Sequence, residues 1–279
     1  MSSLKQRFTK CVLGLFLAFF LVPAMVLAAP FTNWSISLDG VNYLNVPSFL
    51  QVTGQGYIEN TFDPNNENSF TFEEVAAFQA INPNGGPTIG LGAFPGWQLT
   101  GSFYGYGAGD VLAQAFSFTG GTLDLYASPV YKFSTQDGDF FGSEVGTKIA
   151  TFEVISGGGF VNPNTTPVGS VNTQFISTFL LPGYFFDPDM NDLVNYPLVL
   201  AFSNLTASYQ TSDGTTQLFK DALIAKGFIP ADNVPSQFYV ANSGEFTVGG
   251  VVPEPGTALL LGAGLIGLAA AGRRKVRKN

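Results

Sequence analysis

The 279-residue chain has no histidine and a single cysteine. Without imidazole it has no side chain that ordinarily titrates near neutral pH, and neither a Ser-His-Asp nor a Cys-His relay can be assembled. The usual zinc and copper ligand sets are excluded on the same ground. Cys11 stands ahead of the first apolar run, so the region from Ala29 to Val252 has no disulfide and must be held by its core alone. Cations are nearly as scarce. Of the 12 Lys and Arg, three lie in the first ten residues and five in the last seven, leaving Lys132, Lys148, Lys220 and Lys226 against 19 acids between Ala29 and Val252, a net charge near −15. Such a surface repels nucleic acid and anionic lipid, which excludes DNA or RNA as a partner, and attracts divalent cations or basic partners. The acid–base route left open is carboxylate chemistry. That requires two carboxylates facing each other across a cleft at about 5–10 Å, and no spacing in the sequence nominates a pair.

What the chain does have is distinctive at both ends. Lys5, Arg7 and Lys10 precede an uncharged, Leu- and Phe-rich run from Val12 to Leu27, and the small residues Ala28 and Ala29 follow it. This is the three-part pattern of a secretory signal peptide, with cleavage expected after Ala28 because Pro30 disfavours a cut directly before it. At the other end Pro253-Glu254-Pro255 precedes an apolar stretch from Thr257 to Ala271, and Arg273, Arg274, Lys275, Arg277 and Lys278 close the chain. As a helix that stretch reaches only about 25 Å, a short span for a hydrocarbon core of about 30 Å. The basic end favours the cytoplasmic side.

The order of Pro-Glu-Pro, short apolar helix and arginine-rich terminus resembles the PEP-CTERM sorting signal. The resemblance covers about Val251 to Asn279 and implies recognition by an exosortase, a membrane cysteine peptidase, after transient inner-membrane insertion through the C-terminal helix. It further implies an exported protein of the surface or matrix of a Gram-negative, exopolysaccharide-producing bacterium. Exosortase and signal peptidase are then the partners during export, and extracellular polysaccharide the partner outside. The chain divides into a signal peptide over residues 1–28, an extracellular domain over 29–248, and linker plus sorting tail over 249–279.

The middle reads as all-β. Short runs rich in Thr, Val, Tyr and Phe alternate with Gly, Pro, Asn and Asp clusters, which predicts one β-sandwich or jelly-roll-like domain. Expected strands are Phe31 to Leu38, Tyr57 to Phe62, Trp97 to Tyr104, Val111 to Phe118, Thr122 to Ala127, Lys148 to Ile155, Thr173 to Leu181, Pro197 to Leu205 and Gln237 to Val248. One helix is expected over Thr216 to Lys226, stopped by Gly227. Gly157-Gly158-Gly159 and Asn162 to Pro167 look like a loop or a domain boundary. With 28 Phe and 10 Tyr in the chain, aromatic burial should supply much of the stability. The segments Tyr57 to Phe62, Thr122 to Pro129 and Ile149 to Phe160 resemble the flocculation-associated PEP-CTERM proteins, which implies a protein that helps cells associate within exopolysaccharide.

Two acidic segments are candidate cation sites. Asp63, Asn65, Glu67, Phe70 and Glu74 fall at positions 1, 3, 5, 8 and 12 of a calcium loop, although Asn68 stands where glycine makes the sharp turn. The alternative is a solvated Asx turn. Asp187, Asp189 and Asp192 form a second cluster, read either as one side of an irregular site or as a polar loop. Asp137-Gly138-Asp139 suits a hairpin turn. Trp34 and Trp97 are candidates for stacking on sugar rings or for core packing. The expected function is a non-catalytic, exopolysaccharide-associated surface protein without a required cofactor, calcium being the one candidate, and the alternative is a carboxylate-dependent polysaccharide enzyme.

Overall fold

The computed structural model describes residues 28–84, 86–136, 139–161, 169–209, 214–231 and 236–251, of which Ala29–Gly250 form one compact unit. The signal peptide and the sorting tail beyond Val251 lie outside the described residues, as do Asp137-Gly138 and Asn162 to Pro167.

Eight long strands make the wall: β4 (Leu50–Asp63), β5 (Asn66–Pro83), β6 (Gln98–Asp110), β7 (Ala115–Ser128), β8 (Thr147–Val161), β9 (Gly169–Leu180), β11 (Leu198–Tyr209) and β12 (Gln237–Val251). Every neighbouring pair is antiparallel, and each strand lies beside the next long one in the chain. The last strand then returns to the first, with Gln237 opposite Glu59 and Phe246 opposite Leu50. The sheet therefore closes into an eight-stranded up-and-down barrel, not the expected sandwich or jelly roll. Strands of 12 to 18 residues are long enough to tilt around a closed wall, which packs its inner face on itself and leaves no edge in the ring. The short strand β1 (Ala28–Pro30) adjoins β12.

Side-chain alternation decides which way the wall faces. Leu50, Val52, Phe72, Ala76, Phe78, Phe103, Leu123, Leu125, Phe152, Phe175, Phe202 and Phe246 form one buried cluster inside. Gln51, Thr61, Thr71, Glu73, Glu153, Asn172, Ser243 and Glu245, on the opposite phase, are exposed. Apolar in and polar out is the reverse of a transmembrane barrel, whose lipid-facing band is apolar. The inside is filled by pairing rings with glycines. An added Cβ at Gly105 would lie 2.3 Å from the Phe103 ring, and one at Gly107 would lie 2.7 Å from Phe72. With those positions bare, Phe72, Phe103, Phe116 and Phe118 pack edge to face at 5.3 to 5.8 Å.

One end of the barrel is stoppered by a three-stranded sheet of β2 (Trp34–Ile36), β3 (Leu44–Val46) and β10 (Phe185–Phe186). Trp34, Ile36 and Phe185 meet Leu50, Ala80, Leu99, Leu125, Leu200 and Val248, residues near the ends of six wall strands. Outside, α1 (Gly214–Ala225) packs Phe219 and Leu223 against Tyr57, Val75, Ala77 and Tyr239 of the wall and against Phe133, Phe140 and Phe141 of the β7–β8 connection. Gly227 ends the helix at φ +93°, and Phe228 N donates to the Leu223 carbonyl at 3.0 Å, the six-to-one bond of a glycine C-cap.

Several expected boundaries shift. Val111 to Phe118 and Thr122 to Ala127 are parts of one region: residues 111–114 form the turn, and the rest is the single strand β7. Gly157 to Gly159 are not a loop but part of the C-terminal third of β8. Cβ atoms there would meet the Phe116 and Ser170 carbonyls on the flanking strands at 2.3 and 1.9 Å, so glycine permits the close strand approach.

Candidate functional site

The twelve residues read as either a calcium loop or a solvated Asx turn form a hairpin with that turn at its tip. Asp63 pairs with Asn66 across the β4–β5 turn, and the Asp63 carboxylate accepts the Asn65 amide at 2.8 Å. Asn66 to Glu74 then run along extended β5, where Glu74 faces Ile58. Eight strand residues span about 27 Å at about 3.4 Å each, so Glu74 cannot share an ion with Asp63, Asn65 and Glu67. Exposed Glu67 stays near the turn, whereas Glu74 is only 7% exposed and points into the barrel. Among the described residues no cluster of three acids is placed to hold a metal.

The second acidic segment is a self-capped loop. Asp187 accepts the amides of Asp189 and Asn191 at 2.9 and 2.8 Å and the Asn191 side chain at 2.9 Å. The Asn191 bonds, side chain and backbone, hold the Asp187 carboxyl below its ordinary value. Asp192 accepts Gly183 N at 2.7 Å and Val194 N at 2.9 Å. Trp34 is fully buried in the stopper, and Trp97 packs half-buried against the core, so neither indole lies open on the surface.

Glu74 is the most perturbed acid described. It borders a cavity of about 20 Å³ shared with Thr173 and walled by Phe78, Phe103, Phe118, Phe175 and Phe202. Burial pushes its carboxyl up to about 7, with no hydrogen bond or neighbouring charge opposing the shift. The space holds about one water molecule, not a substrate. No second carboxylate lines it, so the paired-acid arrangement of glycoside hydrolysis is not assembled around Glu74. A strand reading of Phe70, Phe72, Glu74, Ala76 and Phe78 would have found this residue, because it occupies the apolar phase of an alternating segment.

Two outer features also escaped the sequence reading. On the outward face of β6, Tyr104 and Tyr106 are 41% and 45% exposed, with ring centroids 6.1 Å apart. At the start of the same strand, fully buried Gln98 and Thr100 hold the β7–β8 connection. Gln98 Oε1 accepts Lys132 N at 2.7 Å and Phe133 N at 2.9 Å, while its Nε2 donates to the Gly142 carbonyl at 3.0 Å. Thr100 Oγ1 donates to the Ser143 carbonyl at 2.7 Å. The signal for the tyrosines was the Tyr-Gly-Tyr-Gly alternation, in which glycine takes the inward phase and the ring the outward one.

Comparison with known families places a PEP-CTERM protein-sorting motif at residues 251–275, spanning Pro253, Glu254, Pro255, Arg273, Arg274 and Lys275. No curated protein and no solved structure matches the chain.

Proposed function

From a chain that carries a PEP-CTERM sorting motif, and is therefore an exosortase substrate exported to the cell surface, we propose that the barrel is a non-catalytic matrix module associated with exopolysaccharide, in biofilm or flocculation, outside a Gram-negative cell. The tail holds the protein briefly in the inner membrane until the exosortase acts. The observation that carries this reading is the wall itself: a barrel filled mainly by apolar side chains, with room inside for about one water beside Glu74, and polar and acidic outside, so that it has its surface and not a cavity to offer a ligand. Weak contacts repeated along a polymer add up to firm association without any activated group.

Two measurements test it. Protein recovered from the cell surface should have an intact mass that stops near Val252, and replacing Pro253, Glu254 and Pro255 with alanine should leave the tail attached. Finding Arg273 to Asn279 on the native surface form sinks the sorting step. The mature protein incubated with the host polysaccharide should sediment with it and release no new reducing ends. Steady release of oligosaccharide, lost on replacing a single Asp or Glu, makes the barrel an enzyme.

A further inference from the structure

Tyr106 sits opposite Gly120 of β7, and a Cβ on Gly120 would lie 2.4 Å from the tyrosine hydroxyl and 2.6 Å from Cζ. The ring therefore lies across the bare backbone of the next strand and turns a face outward. On its other side Tyr106 is opposite Glu73 of β5. Tyr104 lies one pleat along, and burial first, then the nearby Glu73 carboxylate, holds its phenol above its ordinary value. Across the next two strands from Tyr104 follow Thr122 and then the exposed Glu153. The adjoining row carries Asp124, which is fixed by Lys148 at 2.7 Å and by the Thr151 hydroxyl at 2.6 Å.

We propose that Tyr104 and Tyr106, with the carboxylates of Glu73 and Glu153, form an open strip that binds a polymer of hexose rings carrying no acid groups. A pyranose has a face of C–H bonds and an edge of hydroxyls. The tyrosine faces take the first, as aromatic planes take apolar surface, and the carboxylates accept from the second. Among the described residues the lysine of this strip, Lys148, is already paired to Asp124, leaving Glu73 and Glu153 without an ion partner. A chain of uronic acids would meet these carboxylates and the acidic barrel with like charge, whereas neutral or amino-bearing sugars would not. An open strip along the wall, closed at neither side, suits a long chain and not a single sugar. This inference rests on the matrix reading and names its surface.

The experiment compares the native full-length protein with the Tyr104→Ala/Tyr106→Ala double variant, with Gly120→Val, and with Tyr196→Ala, a more exposed tyrosine elsewhere. Each is run through native gels containing dextran, chitosan or alginate, and is also sedimented with the host polysaccharide. Dextran or chitosan should retard the native protein, and the double variant should bind roughly tenfold more weakly for the loss of two stacking rings. Gly120→Val, which displaces the Tyr106 ring without removing it, should weaken binding in the same direction, and Tyr196→Ala should not. Double-variant protein that is retarded as strongly as native, or equal retardation by alginate, overturns the strip. If native and double variant sediment equally with the host polysaccharide, the strip fails while the matrix reading stands. If native protein does not sediment at all, both fail.

Discussion

Glu74→Gln should make the protein more stable above neutral pH while leaving it nearly unchanged near pH 4.5. The carboxyl titrates near 7 in the folded barrel, against the usual 4.5, because burial among phenylalanines disfavours its charge. No charged side chain faces it from any strand lining its cavity; Thr173 is the one polar neighbour there. Between these two values the folded state holds a proton that the unfolded chain has released. Stability is therefore highest below about 4.5, falls as pH rises through the window to about 7, and is flat beyond it. At about 1.4 kcal/mol per unit the contribution comes to about 3 kcal/mol, or a Tm lowered by about 6–12 °C for a domain of this size. The glutamine keeps the shape and never ionises. Melting curves of native and variant protein from pH 4.5 to 8.5 should thus diverge with rising pH, the variant melting higher at the alkaline end. Parallel curves would mean that the carboxyl is hydrated and ordinary. The general loss of stability expected from repulsion among the many surface acids is common to both proteins and cancels in the difference.

The same residue shows why part of this molecule was legible and part was not. Lys148 to Ile155, Thr173 to Leu181 and Gln237 to Val248 announce themselves as strands because alternation and β-branched or aromatic content agree, and they lie within β8, β9 and β12 but for Leu181, one residue past the end of β9. The helix and its glycine stop were equally plain. Closure was not, since an inward apolar phase is common to a sandwich face and a barrel wall. What separates them here is the pairing of β12 with β4, contacts between residues 178 to 196 positions apart that no local pattern encodes. Strand β5 was lost for a different reason. Its polar start, Glu67 and Glu74 fall at the ligand positions of a calcium loop, while their meaning depends on which face of a strand each one occupies. Gly120-Gly121 and Gly157 to Gly159 likewise look like punctuation, yet they sit inside long strands where neighbouring backbone or a tyrosine ring needs the room. The tyrosine strip stayed hidden because it joins residues of β5, β6, β7 and β8 that only the register brings side by side.

Gln98→Leu should cost more than any substitution on the outer wall, although it replaces a polar side chain with an apolar one of similar size in a fully buried position. The amide makes three bonds to a connection with little regular structure of its own, at Lys132 N, Phe133 N and the Gly142 carbonyl. Leucine leaves all three backbone groups unpaired beneath Phe133, Phe140 and Phe141. At about 1–3 kcal/mol for each buried group left unpaired, and with some regaining water as the segment loosens, a loss of about 3–5 kcal/mol is expected. That lowers Tm by about 10 °C or more. The loss should also be local before it is global. Phe140 and Phe141 pack on Phe219 of α1 at 5.7 and 5.3 Å, and Lys226 reaches back to Glu144 at 2.6 Å, so loosening the connection removes one side of the helix's seat. Hydrogen exchange in the variant should accelerate first in the connection and α1, while the amides of β6 to β9 keep native protection. Thr100→Val, which removes a single bond to the Ser143 carbonyl, should show the same pattern at about a third of the size. A leucine variant that melts within about 2 °C of native and exchanges uniformly would mean that the hydrophobic seat alone holds this segment to the barrel.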